Sequence, residues 1–324
     1  MDELEDKLNI PSPVTRINHP LTRNHKVQLL IKRDDLIHPL LSGNKWRKLK
    51  HNLLHFQKMK PDRIISFGGA FSNHLVALAY ATKWVNIKST GYIRSHQDSL
   101  SNPTIDLIRS LNMGVQFVKP STFDFLGDAP ENIMADFPGE QVGVVPMGGT
   151  NELALIGVGE IMDELAQEKV RPDYLITALG TGGSLAGLVV NAPPNVQLVG
   201  LSPFKGRTDR LEGFKFIDHM DNYTIISCAD GHGFGAISKD IAQFINQFYD
   251  DHQILLDPIY TSRAMNKTLK LIEEGYFEVG STIVFLHSGG LQGILGYNEA
   301  LKYDRINLPF SSKKSFPWFE EQNR

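Results

Sequence analysis

Cysteine is almost absent: Cys228 is the one cysteine in 324 residues, so neither an internal disulfide nor a cysteine-built zinc site can form within the chain. Such usage fits a reducing compartment, and a cytoplasmic protein is expected. An excess of either charge is missing too, with 33 Lys and Arg against 36 Asp and Glu. No basic footprint marks a nucleic-acid partner, and none is expected. Long apolar runs are lacking: stretches such as 185–190 fall well short of the ~20 residues that span a bilayer, so no membrane partner is expected. The acidic opening Met1-Asp2-Glu3-Leu4-Glu5-Asp6 has neither the basic start nor the apolar run of a secretory signal. Internal repeats and low-complexity segments are absent. Carboxylates show no metal-loop spacing, and between His51 and His55 the place where a zinc peptidase needs Glu holds Asn52, so no metal is expected. A hydrolase elbow, Gly-x-Ser-x-Gly, is missing as well.

What is present is an ordinary globular composition, 41% hydrophobic and 21% charged, which excludes a disordered, collagenous or coiled-coil chain. At about 150 residues per domain, the length predicts two domains. Residues 63–67, 89–94, 115–118, 174–178, 196–201 and 282–286 read as strands; 72–82, 104–111, 185–190 and 262–273 read as helices. The alternation predicts βαβ units, an α/β fold and a parallel sheet covered on both faces. Residues 123–139, with their Pro, Gly and Asp, read as a long loop in a smaller domain, and Phe316, Trp318 and Phe319 are expected to order part of the tail.

Four sets of turns fall at strand ends or helix starts, where parallel sheets bind ligands. Ser42-Gly43-Asn44-Lys45-Trp46-Arg47-Lys48-Leu49 follows Lys32-Arg33-Asp34-Asp35-Leu36 and opens a helix. By charge alone, Lys45 belongs to a solvated basic face with Arg47, Lys48 and Lys50. Gly180-Thr181-Gly182-Gly183-Ser184 sits between an apolar strand and an apolar helix, and its backbone N–H groups suit a compact phosphate; a plain tight turn reads almost as well. No Gly-Lys-Ser/Thr follows, and no acidic residue lies about 20 positions on, so neither a Walker loop nor a dinucleotide fingerprint is present. In Gly68-Gly69-Ala70-Phe71-Ser72-Asn73-His74, capping accounts for Ser72 but not for Asn73 or His74. The last set pairs Asp257-Pro258-Ile259-Tyr260-Thr261 with His287-Ser288-Gly289-Gly290; Tyr260 alone reads as a core aromatic.

Taken in order, these motifs resemble the pyridoxal-phosphate enzymes of the tryptophan-synthase-β fold. More narrowly they resemble the branch of 1-aminocyclopropane-1-carboxylate deaminase and D-cysteine desulfhydrase, on Lys32-Arg33-Asp34-Asp35-Leu36, Ser42-Gly43-Asn44-Lys45-x-Arg47-Lys48-Leu49, Ser72-Asn73-His74, Pro146-x-Gly148-Gly149-Thr150-Asn151, Asp257-Pro258-x-Tyr260 and His287-x-Gly289-Gly290. The match spans roughly residues 10 to 300. It implies two open, twisted, parallel-type sheets with helices on both faces. Residues 1–51 plus 156–324 would form a large cofactor domain and 52–155 a small one, with pyridoxal 5'-phosphate in the cleft between them. Lys45 would be the Schiff-base lysine. Gly180, Thr181, Gly182, Gly183 and Ser184 would hold the phosphate, assisted by Lys48, and Asn73 the phenolic oxygen. Ser72, Asn73, His74 and Tyr260 would bind the substrate, with Ser72 and Tyr260 also in acid–base roles. A homodimer acting on a small amino acid is implied.

Within that branch the resemblance puts Glu after the tyrosine in the cyclopropane deaminases; here Thr261 stands against the cofactor, as in the desulfhydrases. A neutral hydroxyl cannot hold a ring nitrogen protonated, which favours β-elimination from D-cysteine to pyruvate, hydrogen sulfide and ammonia. Alternatives are the cyclopropane deaminase, another D-amino-acid lyase, or a catalytically silent relative that binds the cofactor. Two departures stand out. Asp230-Gly231-His232-Gly233-Phe234-Gly235 replaces a tyrosine segment, and His232 could take over its proton transfer. Leu75-Val76 stands where relatives carry Val-Arg, so an active-site arginine is missing.

Overall fold

Strands form where β-branched residues cluster between glycine turns, and helices where apolar residues recur every three or four positions. The computed structural model of the chain describes residues 2–300 apart from 129, 205–210, 212–213, 215–216, 218–219 and 232–237. His232 and the aromatic tail residues Phe316, Trp318 and Phe319 lie outside the described residues. The strands are β1 (Val14–Ile17), β2 (Gln28–Lys32), β3 (Arg63–Gly69), β4 (Lys88–Arg94), β5 (Gly114–Val118), β6 (Val142–Val144), β7 (Tyr174–Ala178), β8 (Gln197–Ser202), β9 (Tyr223–Ser227) and β10 (Thr282–Leu286). Between them run α1 (Asp2–Glu5), α2 (Pro20–Asn24), α3 (Asn44–Met59), α4 (Asn73–Trp84), α5 (Pro103–Ser110), α6 (Pro120–Asp128), α7 (Glu152–Gln167), α8 (Gly183–Asn191), α9 (Lys239–His252), α10 (Thr261–Glu273) and α11 (Gly293–Ala300).

Two sheets result, a six-stranded one in the order β1-β2-β10-β7-β8-β9 and a four-stranded one in the order β5-β4-β3-β6. Every pairing is parallel except β1 with β2. The fold is therefore α/β with two mainly parallel sheets. Alternate residues of one strand feed opposite faces, as a period of two requires: Leu29 and Ile31 of β2 pack with α9 and α10, while Leu30 packs with α7 and α8. The same split divides Ile283 and Phe285 from Val284 and Leu286 on β10. In the smaller sheet Ile64 and Ile93 face α3, α4 and α5, while Ile65, Phe67 and Tyr92 face Phe123 and Ile133.

That last cluster corrects one expectation. Residues 123–139 do not form a long loop: α6 and a 3-10 turn (Pro130–Asp136) occupy most of them. Phe123 meets Phe67 edge-on at 6.0 Å between ring centroids, so burial of apolar side chains against the sheet overrides the Pro, Gly and Asp of the local sequence. Also unforeseen are the strands β1, β2, β6 and β9 and the helices α7 and α9.

A buried ionic network ties the sheet to α3. Lys32 at the end of β2 meets Glu164 at 2.9 Å; Arg47 of α3 meets Glu164 and, at 2.9 Å, Asp34, which also accepts from Ser12 Oγ at 2.6 Å. Lys32, Asp34 and Arg47 are fully buried, and the mutual pairing is what makes that burial tolerable. Arg47 and Lys48 thus do not form a solvated basic face.

Candidate functional site

A cavity of about 860 Å³ opens where the carboxyl ends of β3, β4, β7, β8 and β10 meet the start of α3. Open α/β sheets place their ligand sites there. Lys45, Lys48, Ser72, Asn73, His74, Gly180, Thr181, Gly182, Ser184 and Tyr260 all line it. Residues more than 200 positions apart in the chain are brought together.

Lys45 is aimed by the turn before it. Gly43, at φ +63°, opens α3 in a conformation closed to side chains, and a Cβ there would lie 1.9 Å from the carbonyl oxygen of Ser288. The turn after β2 therefore interlocks with the turn after β10, and Asn44 N–H donates to Ser288 O at 3.3 Å. Burial pushes the Lys45 amine down to about 8, with Asp257 pulling the other way. Its Nζ donates to Asn44 Oδ1, while Asn44 Nδ2 donates to Ser184 Oγ at 2.8 Å.

One turn on, Lys48 Nζ reaches Thr150 Oγ1 at 3.0 Å, and Thr181 Oγ1 and Gly148 O at 3.3 Å. These partners are neutral. Burial, and then the charge on Lys45, lowers its pKa well below the ordinary value. Beside it Gly182 sits at φ +92°, and a Cβ on Gly183 would come within 2.9 Å of Thr150 and 3.0 Å of Lys48 Nζ. Two amines with no carboxylate within ion-pair distance among the described residues, facing a glycine turn at the start of α8, form a cradle for an anion.

The turn after β3 supplies polar groups. Ser72 caps α4 by accepting from Leu75 N–H at 3.2 Å and also faces the cavity. Asn73 Oδ1 accepts from Gln292 Nε2 at 2.6 Å, and Gln292 in turn accepts from Thr104. That chain leaves the Asn73 Nδ2 end toward Gly290, where a Cβ would sit 2.9 Å from it. His74 is fixed from behind: Ser66 Oγ donates to Val145 O at 2.7 Å, so His74 Nε2–H donates to Ser66 and Nδ1 is the bare nitrogen. Burial, then Lys45 and Lys48, lowers its pKa to about 3. The ring is a neutral acceptor, not a cation. Tyr260 faces Gly180, with ring carbons 3.5 and 3.9 Å from a Cβ built there.

Thr261 differs from these. It is fully buried and does not line the cavity; its hydroxyl donates to Asp257 Oδ2 at 2.6 Å and accepts from Asp257 N–H at 2.8 Å. Asp257, which does line the cavity, also accepts backbone N–H groups of Ile259, Tyr260 and Thr261. The sequence reading gave no role to Asp257, Gln292, Ser66 or Arg94; only Asp257 lay in a motif. Val76, in the place of the missing arginine, is buried in the core.

Residues 7–289 match the model of the family described as "Pyridoxal-phosphate dependent enzyme". The chain belongs to this family. Its cofactor is pyridoxal phosphate, and the cationic glycine cradle beside a half-buried amine fits that group: an anionic phosphate at Lys48 and the 180–184 turn, an aldehyde at Lys45. A putative 1-aminocyclopropane-1-carboxylate deaminase of Thermotoga maritima is 27% identical over 90% of this chain and 97% of its own. The bifunctional mitochondrial D-cysteine desulfhydrase/1-aminocyclopropane-1-carboxylate deaminase of Arabidopsis thaliana is 26% identical, over 92% of this chain and 79% of its own. Among solved structures, an ACC deaminase homologue superposes with a TM-score of 0.77 at 25% identity, covering 89% of this chain and 92% of that one.

Proposed function

We propose that this member of the family is a D-amino-acid lyase that takes D-cysteine to pyruvate, hydrogen sulfide and ammonia. One observation carries the reading: Lys45, its amine near pKa 8, faces the same cavity as the glycine cradle and the Ser72–Asn73 turn. A base thus shares one cavity with an anion site and with the turn that would take a carboxylate. Bound pyridoxal phosphate supplies the electron sink that amino-acid side chains lack.

The protein does the rest. Lys45 anchors the cofactor and, as a free amine, takes the proton from the substrate Cα. Lys48 and the turn of Gly180, Thr181, Gly182, Gly183 and Ser184 hold the phosphate. Asn73, oriented by Gln292, donates its amide to the phenolic oxygen. Ser72 and the first N–H groups of α4 receive the substrate carboxylate. His74 Nδ1 can only accept, so it serves a protonated group and not that carboxylate. Tyr260 stands over the substrate as a hydrogen bonder. In this reading residues 1–51 with 156–324 form the larger domain and 52–155 the smaller, and the working unit is a homodimer.

Thr261, buried away from the cavity, brings no charge to a ring nitrogen, which favours elimination. A second reading, opening of the cyclopropane ring, is favoured by Asp257, whose carboxylate lines the cavity in front of the Thr261 hydroxyl and accepts its hydrogen bond. Assays for hydrogen sulfide and 2-oxobutanoate decide between them. Lys45→Ala should remove both turnover and the visible absorbance of bound cofactor; survival of either rejects the assignment.

A further inference from the structure

The cavity has a cation that this chemistry does not use. Of the charged residues lining it among the described residues, Lys45 and Lys48 serve the cofactor, and Asp257 is saturated by four hydrogen bonds. Arg94 and Asp124 remain. They stand 3.8 Å apart, an ion pair beyond hydrogen-bond reach, with side chains 51% and 67% exposed. Arg94 is the last residue of β4 and the register partner of Gly69 on β3. A Cβ built on Gly69 meets nothing within 4 Å, so open space lies beside Arg94, on the strand that leads into the Ser72–Asn73 turn. Phe71 and Met147, each 49% exposed, add apolar wall to the same cavity.

We propose that Arg94 is a specificity residue, and that besides D-cysteine the site takes S-substituted D-cysteines whose added group carries a carboxylate on an apolar stem. The proposal deepens the lyase reading and rests on it. A planar guanidinium with free donors recognises a carboxylate by paired charge-assisted hydrogen bonds. Phe71 and Met147 cover the stem. Asp124 holds Arg94 loosely when no ligand is present and repels anions that do not engage it. For a thioether substrate the balance is simple. Lys45 takes the Cα proton, and the Cβ–S electron pair leaves on sulfur, which takes up a proton to give the carboxylate-bearing thiol. One water then converts the remaining aminoacrylate to pyruvate and ammonia.

The test uses two ligands without a leaving group, D-2-aminoadipate and D-norleucine, which share a stem and differ in the terminal carboxylate. Their binding to the cofactor-loaded protein is read from the change in cofactor absorbance. Wild type should prefer the aminoadipate by ~10-fold, the order set by one charge-assisted pair in a half-exposed site. Arg94→Gln should bring the ratio close to one, and Asp124→Asn should widen it. A wild-type ratio near one, no binding of the aminoadipate, or equal weakening of both ligands in Arg94→Gln would overturn the proposal, the last by making Arg94 a clamp for the α-carboxylate. Because neither ligand needs to be eliminated, a failure of the lyase reading shows separately, as absent turnover of D-cysteine.

Discussion

Lys45 and Lys48 lie one helical turn apart in the same cavity, and burial lowers the pKa of both. Lys45 has a titration midpoint near 8, so close to a tenth of it is free amine at neutral pH. In the cofactor-free protein its acylation by an amine-selective reagent should show a midpoint near pH 8, against about 10.4 for solvated lysines; a midpoint above 10 would contradict the burial of this amine. His74 moves the same way. With a folded value near 3 and an ordinary value of 6.5, the unfolded chain binds the proton first as pH falls. This histidine's contribution therefore lowers stability progressively from about pH 6.5 down to 3, and is absent above 6.5. Urea titrations at pH 5 should show proton uptake on unfolding smaller by about one in His74→Phe than in wild type.

At the scale of elements, the start of α3 is held on two sides. The buried pairs of Arg47 with Asp34 and Glu164 tie its first turns to the end of β2 and to α7. Arg47→Ala strands the buried carboxylate of Asp34 and leaves Glu164 to Lys32 alone, and should cost about 3–5 kcal/mol in denaturant unfolding. Gly43 sets the entry of the helix. Gly43→Ala meets both a positive φ and the Ser288 carbonyl, so Lys45 must move. That variant should lose bound cofactor, measured by absorbance after gel filtration, while far-ultraviolet circular dichroism keeps its helical signal. The interlock of two loops, and not any contact with a ligand, makes this glycine necessary.

For the whole molecule, the carboxyl edges of two mainly parallel sheets face one cavity, so a ligand held there touches both. Binding to the folded state alone stabilises by mass action: at 100 times its Kd, pyridoxal phosphate should add about 2.7 kcal/mol and raise Tm accordingly. Lys48→Gln removes the amine from the anion cradle, and at the same cofactor concentration its rise in Tm should be smaller. An equal rise would mean that the phosphate sits elsewhere.

The sequence by itself determined the α/β class, six of the ten strands among the described residues and the order of the glycine turns, because period-two runs ending in glycine are local signals. It also marked Lys45, Ser72, Asn73 and Tyr260 through motifs contiguous in the chain. It did not show that Arg47 and Lys48 are buried, since both read as solvated charge until Asp34, Glu164 and Thr150 are brought against them. Nor did it show Gln292 orienting Asn73 across 219 positions, or Asp257 standing in front of Thr261. Those relations depend on how side chains meet between distant elements, and only tertiary packing decides which polar group has a partner and which is left to face a ligand.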